Sequence, residues 1–195
     1  MHSCAGGVGT ALTQLCHLKG VKVIGLCSSD EKMEYLKDLK VDYPINYTQT
    51  DYKKWINKNL GKRSVDHIFN AVAGNSFNID LKLLGYGGKL FCFGGAARSG
   101  KKNNFLNDIS FLFKTGFVSP LFMMMKAQAL IGVNMLRIAD QKVAIIGTCL
   151  NELIQLYNNK EIAPKVGGTF PIEKLAEAHM ALESGKSIGK IYVYW

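Results

Sequence analysis

The residues of this chain best suited to chemistry stand at its start, where Ser3 to Thr10 reads S-C-A-G-G-V-G-T. Gly6, Gly7 and Gly9 lead directly into a helix-forming run, Ala11 to Lys19, so the stretch describes a tight turn opening into a helix. The first N–H groups of a helix have no intrahelical partner and lie at the positive end of its dipole. With almost no side chain in the way, Ala5, Gly6, Gly7, Val8 and Gly9 can present bare backbone amides to a pyrophosphate, and binding of a dinucleotide is the chemistry expected. A flexible turn between any two elements carries a similar cluster. What separates the two is context: a strand before, a helix and a second strand after, and ribose-reading residues about 20 positions on.

Most of that context is present. Lys22 to Cys27 (K-V-I-G-L-C) is a short apolar run of the kind that forms a buried parallel strand, and Ser28, Ser29 and Lys32 follow its end. A site built for NAD would place an acidic side chain near Leu26 or Cys27 to bind the ribose hydroxyls. Here the strand end is apolar, then hydroxylic, then cationic, which suits a 2'-phosphate and favours NADPH over NADH. The strand before the glycines is the missing piece. Only Met1 and His2 precede Ser3, against about 5 residues in an ordinary strand.

The elements that must hold these residues alternate regularly. Helices are expected at Ala11 to Lys19, Asp30 to Lys40, after a cap at Thr50 or Asp51, and at Phe77 to Leu84; strands at Tyr43 to Asn46, Val65 to Asn70 and Gly88 to Phe93. Strands separated by helices of about 10 residues make βαβ units, so the expected fold is α/β, a doubly wound parallel sheet that lacks most of its first strand. Ligands of such sheets bind at the carboxyl ends of the strands, which selects Ser28 and Ser29, Asn46 and Tyr47, Asn70 to Ala73, and Gly94 to Ala97. Tyr47 is also readable as a surface aromatic, and Gly94-Gly95 as a plain turn. Further on, Phe105 to Met125 reads as broken helices around Pro120, with Met123 to Met125 either lining an adaptable pocket or packing a core. Ala129 to Asn134 reads as a strand and Asp140 to Asn159 as one long helix. The tail reads as a strand, a helix and a last strand, at Lys165 to Phe170, Ile172 to Ser184 and Lys190 to Trp195.

The strings H-S-C-A-G-G-V-G, S-S-D-E-K, I-N-Y at Ile45 to Tyr47, F-G-G-A at Phe93 to Ala96 and the closing G-K-S-I-G-K-I resemble the medium-chain dehydrogenase/reductase superfamily. Within it they are similar to the zinc-independent quinone oxidoreductases and vesicle amine transport protein homologues. The resemblance implies a Rossmann-type NADP-binding domain over residues 1–162 and a C-terminal segment, 163–195, that in the family packs on a catalytic domain absent from this sequence; the tail strands are therefore expected to lack partners. It implies that Tyr47 lies near the adenosine phosphate. The loop at Phe93, Gly94, Gly95 and Ala96 would run beneath the ribose and nicotinamide, and Val133, Asn134 and Met135 beside the nicotinamide; Asn70, Ala71 and Val72 are cofactor-binding candidates by their place at a strand end. It also implies a homodimer joined through the strand at Ala129 to Asn134. Many relatives carry an acidic residue where this chain has Asn70, so a carboxylate role does not transfer to that position.

The implied activity is hydride transfer from NADPH to a small-molecule quinone or enone, with no catalytic residue assignable in this chain. The alternative is a nucleotide-binding or scaffold protein without catalysis. Composition narrows the field: 195 residues with 48% hydrophobic and 20% charged content are globular. The five cysteines are scattered without a C-x-x-C pair or clustered histidines, so no metal and no disulfide framework is expected, and a cytoplasmic setting is. No signal peptide is evident, and the most apolar stretch, Thr115 to Met125, is shorter than the about 20 residues a bilayer requires. The net charge of +9 is spread along the chain with no basic stripe interleaved with aromatics, which argues against specific nucleic-acid binding.

Overall fold

The structure, a computed structural model, describes residues 1–95 and 118–195. The expectations for Arg98 to Asn104 and for the part of Phe105 to Met125 up to residue 117 lie outside the described residues, as do Ala96 and Ala97. The chain divides into two compact units, one of Ser3–Asn46 with Asn134–Trp195, the other of Met1–His2 with Tyr47–Val133.

In the first unit, α1 (Gly7–Leu18) is followed by β1 (Ile24–Cys27), α2 (Asp30–Asp38) and β2 (Tyr43–Asn46). The strands β1 and β2 pair in parallel from Ile24 against Tyr43 to Cys27 against Asn46, with α2 as the crossover. The helix α2 forms where Ser29 caps its start, its side chain accepting from the Lys32 N–H at 3.3 Å, with Asp30 and Glu31 in the first turn and Lys37 in the last. It buries Leu36, which joins Val23, Leu26, Cys27, Val41 and Ile45 in the core. Ahead of the glycines the chain turns, with Ser3 at a φ of 51°, and the Cys4 N–H donates to the Leu26 carbonyl at 3.1 Å.

The same unit holds α6 (Met135–Gln141), α7 (Val143–Asn158), β6 (Val166–Pro171), a 3-10 turn at Ile172–Lys174, α8 (Leu175–Glu183) and β7 (Lys190–Tyr194). Two expectations are corrected here. The long helix at Asp140 to Asn159 is two helices broken at Lys142, whose φ of −135° and ψ of 49° leave the helical region, and the apolar positions Val143, Leu150 and Leu153 are exposed. The tail strands do not lack partners either. They pair with each other in parallel from Val166 against Lys190 to Pro171 against Tyr194, with α8 as their crossover, although Trp195 stays 96% exposed.

In the second unit, α3 (Tyr52–Asn59) is capped by Asp51, whose Oδ1 accepts from the Lys54 N–H at 3.0 Å. Then come β3 (Val65–Asn70), α4 (Asn75–Leu83), β4 (Leu84–Cys92), α5 (Pro120–Met125) and β5 (Ala129–Gly132). The parallel order is β3-β4-β5, and Phe69 stacks on Phe91 across the first pair at 4.7 Å. Strand β4 begins at Leu84 rather than Gly88, because the chain turns from α4 into extended backbone at that residue (ψ 129°). The buried Gln128 amide reaches back to donate to the Leu84 carbonyl at 2.7 Å, satisfying the backbone at this sharp junction.

At Gly9 an added Cβ would stand 2.4 Å from the Cys4 carbonyl oxygen and 2.6 Å from the Cys4 carbonyl carbon, both main-chain atoms that cannot step aside. Gly9→Ala is expected to lower the unfolding free energy by about 2 to 3 kcal/mol, measured by urea denaturation; a loss under about 0.5 kcal/mol would show that the contact is not close-packed.

Candidate functional site

The first turn of α1 is an uncapped set of donors. Its N-cap, Gly6, is extended (φ −79°, ψ 172°) and has no side chain to accept from the N–H groups of Gly7, Val8 and Gly9. No acidic residue stands in that turn. Thr10, next along, is buried, and its hydroxyl meets the Tyr35 hydroxyl of α2 at 3.2 Å.

At the end of β1, the Ser29 hydroxyl is engaged as the cap of α2, and the nearby Asp30 carboxylate accepts from the Asn46 amide at 2.9 Å. Lys32 is half-buried; burial pushes its pKa down, and its ammonium donates to the Gly185 carbonyl. Burial also pushes the Cys27 and Cys4 thiols up, which keeps both protonated.

Sequence reasoning missed what the tail contributes. The Gly189 N–H donates to the Ala5 carbonyl at 2.8 Å, Gly6 and Gly189 form an isolated parallel bridge, and the Lys190 side chain lies along Gly7. The glycine pattern of G-K-S-I-G-K was the available signal, since Gly189 sits at a φ of +80°. In the same unit, Asn134 caps α6, its Oδ1 accepting from the Arg137 N–H at 3.1 Å, and Met135 is exposed.

The second unit brings together another group of the expected residues. The Phe93 N–H donates to the Asn70 carbonyl at 3.1 Å, the Val133 N–H to the Cys92 carbonyl at 2.8 Å, and Gly94 passes so close to Ala71 that a Cβ would lie 2.8 Å from its carbonyl oxygen. Asn70 organises this corner. Its Oδ1 accepts from the N–H groups of Val72 and Ala73 at 2.7 and 2.8 Å, and its Nδ2 donates to Ser76 Oγ at 2.9 Å and to Asp80 Oδ2 at 2.6 Å. Gly95 is exposed, and Tyr47 is 49% exposed.

Asp80 is the residue that sequence reading did not find. Its carboxylate also meets His2 Nε2 at 2.9 and 3.0 Å and accepts from the Tyr52 hydroxyl at 3.4 Å, with the His2 ring standing edge-on to Tyr52. Asp80 and Asn70 are each 1% exposed and His2 is 6% exposed. Burial pushes the Tyr52 phenol strongly up, and the Asp80 charge adds to the shift. The signal in the sequence was an acidic residue in register with Phe77 and Leu83 on the buried stripe of α4. Among the described residues no three His, Cys, Asp or Glu side chains converge.

Residues 7–158 match the family described as zinc-binding dehydrogenase. The mouse synaptic vesicle membrane protein VAT-1 homolog is 32% identical over 193 residues, covering 98% of this chain and 47% of that protein. Quinone oxidoreductase of Pongo abelii is 25% identical over 179 residues, 92% of this chain and 48% of that protein. Mycobacterial Rv1454c, solved in complex with NADPH, superposes with a TM-score of 0.78 at 25% identity, over all of this chain and 55% of that one. The fold is thus of the Rossmann type, and the chain spans about half the length of the curated relatives it matches.

Removing the Asp80 carboxylate strands the polar groups of Asn70, His2 and Tyr52 in a dry interior. Asp80→Ala is expected to cost about 2 to 4 kcal/mol of stability, with Asp80→Asn costing less because it keeps an acceptor in place; equal unfolding midpoints for Asp80→Ala and the unaltered protein would rule the network out as a stabilising element.

Proposed function

Because the chain belongs to the zinc-binding dehydrogenase family of the medium-chain dehydrogenase/reductase superfamily, we propose that it is the cofactor-binding portion of an NADPH-dependent quinone or enone oxidoreductase. The observation that carries this reading is the donor set of α1, in which Gly7, Val8 and Gly9 offer main-chain N–H groups that no side chain caps. A pyrophosphate fits that set chemically. Solved fold relatives with bound NADPH, such as mycobacterial Rv1454c, support the cofactor.

In this reading Ala5, Gly6, Gly7, Val8 and Gly9 receive the pyrophosphate, while Ser28, Ser29 and Lys32 meet the 2'-phosphate. For Ser29 this requires its hydroxyl to donate outward while its oxygen continues to accept from the Lys32 N–H, which a hydroxyl can do. Tyr47 lies toward the adenosine. Asn70, Ala71, Val72, Phe93, Gly94 and Gly95, with Val133, Asn134 and Met135, serve the nicotinamide half. Residues 1–162 are the NADP-binding portion and 163–195 the segment that also contacts a catalytic domain. When bound, the nicotinamide supplies a hydride for a conjugated carbonyl. This chain's own residues bind and orient the cofactor. No residue of the chain is assigned as an acid, base or metal ligand, and a cytoplasmic homodimer is the setting proposed.

The same uncapped donor set also serves a second reading, a nucleotide-binding module without turnover. Titration of the full chain with NADPH, followed by an assay of NADPH oxidation with a quinone, separates the two: binding with turnover supports the reductase, and binding without turnover the module. Neutralising the one cation assigned to the 2'-phosphate is expected to change selectivity rather than binding as such. Lys32→Ala should weaken NADPH about tenfold and leave NADH within about twofold, read by fluorescence titration; an unchanged ratio between the two would remove Lys32 from the site.

A further inference from the structure

We propose that Arg63, set over the ring of Tyr86, forms a binding site for an oxyanion, a carboxylate or a phosphate group, at the amino ends of β3 and β4. The loops assigned to the nicotinamide half, Asn70 to Val72 and Phe93 to Gly95, follow the other ends of the same two strands.

The observation behind this site is a donor left over. Among the described residues, Arg63 Nη1 is the one buried side-chain nitrogen or oxygen without a hydrogen-bond partner. A guanidinium stays charged in a protein and carries five N–H donors. A solvated arginine gives those donors to water, and a buried one is ordinarily matched by a carboxylate. Arg63 does neither. It is half-buried, and no ion pair or hydrogen bond joins its side chain to a described residue. Asp66, the carboxylate nearest to it in the sequence, is exposed and forms no ion pair with it. What Arg63 meets instead is an aromatic face. Its Cζ lies 5.5 Å from the centre of the Tyr86 ring, and that tyrosine is 71% exposed.

Backbone holds both members of the pair. Ser64 Oγ donates to the Gly61 carbonyl at 2.9 Å, closing the turn that carries Arg63 at a φ of 53°. That turn lies against Gly85, where a Cβ would stand 2.8 Å from the Arg63 carbonyl oxygen. Tyr86 sits between two anchored residues: the Gln128 amide donates to the Gly85 carbonyl at 3.3 Å, and the Gly87 N–H to the Ala127 carbonyl at 2.7 Å. Cation and ring therefore face each other before any ligand arrives, which lowers the cost of binding one. Because a guanidinium is planar, turning Nη1 into the protein directs the opposite edge, Nε and Nη2, outward. That edge is a two-donor fork matching two oxygens of a carboxylate or phosphate. Lys62, next in the chain, is exposed, has no ion pair among the described residues, and adds positive charge to the same turn. An anion on the fork offsets a charge that the folded chain otherwise leaves to a ring alone.

Phenylglyoxal labelling of the full chain, mapped by mass spectrometry, reads each arginine separately, with the exposed Arg137 as internal control. Rates are compared in chloride, sodium phosphate and sodium acetate at one ionic strength, so that screening is the same in all three. Saturating phosphate or acetate is expected to slow labelling of Arg63 at least about twofold while leaving Arg137 unchanged, and Tyr86→Leu to weaken that protection. Protection by acetate, with or without phosphate, identifies a carboxylate as the group bound; protection by phosphate alone identifies a phosphate. The site is overturned by slowing of less than about twofold in both anions, by equal slowing at Arg137, by undiminished protection in Tyr86→Leu, or by an Arg63 that resists labelling in chloride. None of these readings depends on nucleotide binding, so the NADPH assignment stands or falls separately.

Discussion

The closeness of Gly9 to the Cys4 main chain is the contact from which the glycine-loop unit is built. It lets α1 start immediately beside the turn residue Cys4, whose N–H donates to Leu26 of β1, so that the helix start and β1 belong to one small region of the same unit. Any side chain at position 9 would wedge the helix away from that backbone. The packing continues inward: Thr13, fully buried one turn later, places its hydroxyl 3.4 Å from the Cys4 thiol, and Gly25 on β1 leaves room for the Cys4 sulfur. Cys4 behaves here as a small core residue with a weak polar handle, its ionisation suppressed by burial. A helix start anchored so tightly is a rigid donor array, and rigidity is what allows uncapped amides to favour an anion without reorganising around it.

Polar groups are provided for in two different ways in this chain. The donors of α1 stay open to a ligand, whereas those around Asn70 are closed among themselves. Asn70 spends both faces of its amide, the oxygen on the N–H groups of Val72 and Ala73 and the nitrogen on Ser76 and Asp80. The turn after β3 thereby takes a fixed shape without help from a helix or sheet ladder. Asp80 then needs donors for its second oxygen and finds them in His2 and Tyr52. Half-satisfied, such a network would be worse than an apolar core; completed, it specifies one arrangement of the turn. In the second unit this makes the loop after β3 an ordered surface on which Phe93 and Gly94 can be registered.

How much of this was legible depended on the range over which each signal acts. Strands Tyr43–Asn46 and Val65–Asn70 were readable to the residue because apolar runs are bounded there by local turn chemistry. The start of α1 was placed too late, at Ala11, because glycines are poor helix formers, and what makes Gly7 and Gly9 helical is a close approach that no local pattern reports. The break at Lys142 escaped because the apolar period runs straight through it, while the Asn134 cap that starts the first of the two helices looked like the end of a strand. Asp80 and Lys190 owe their positions to partners 78 residues away in one case and at the opposite end of the chain in the other, His2 and Gly7. The pairing of β6 with β7 was missed for a different reason. Both strands were assigned to an absent partner by analogy, although a strand, a helix and a strand in succession already form the parallel unit that closes on itself.

The corner after β1 is where the proposed choice of nucleotide turns on charge. Asp30 is the carboxylate nearest that corner in sequence, and it is turned to the Asn46 amide at the end of β2. Lys32 is half-buried, and its ammonium donates to the neutral Gly185 carbonyl. Burial pushes its pKa down by disfavouring the charged form, with Cys27 and Glu31 opposing the shift. Two unit charges 4 Å apart near a protein surface attract by about 4 kcal/mol, and part of that is lost to solvent screening and to release of the carbonyl. A phosphate dianion would therefore offer Lys32 more than Gly185 does, whereas a ribose hydroxyl would offer another neutral acceptor and nothing beyond it. Under the proposed assignment of Lys32, the burial that lowers its pKa is also what would favour a 2'-phosphate over a ribose hydroxyl.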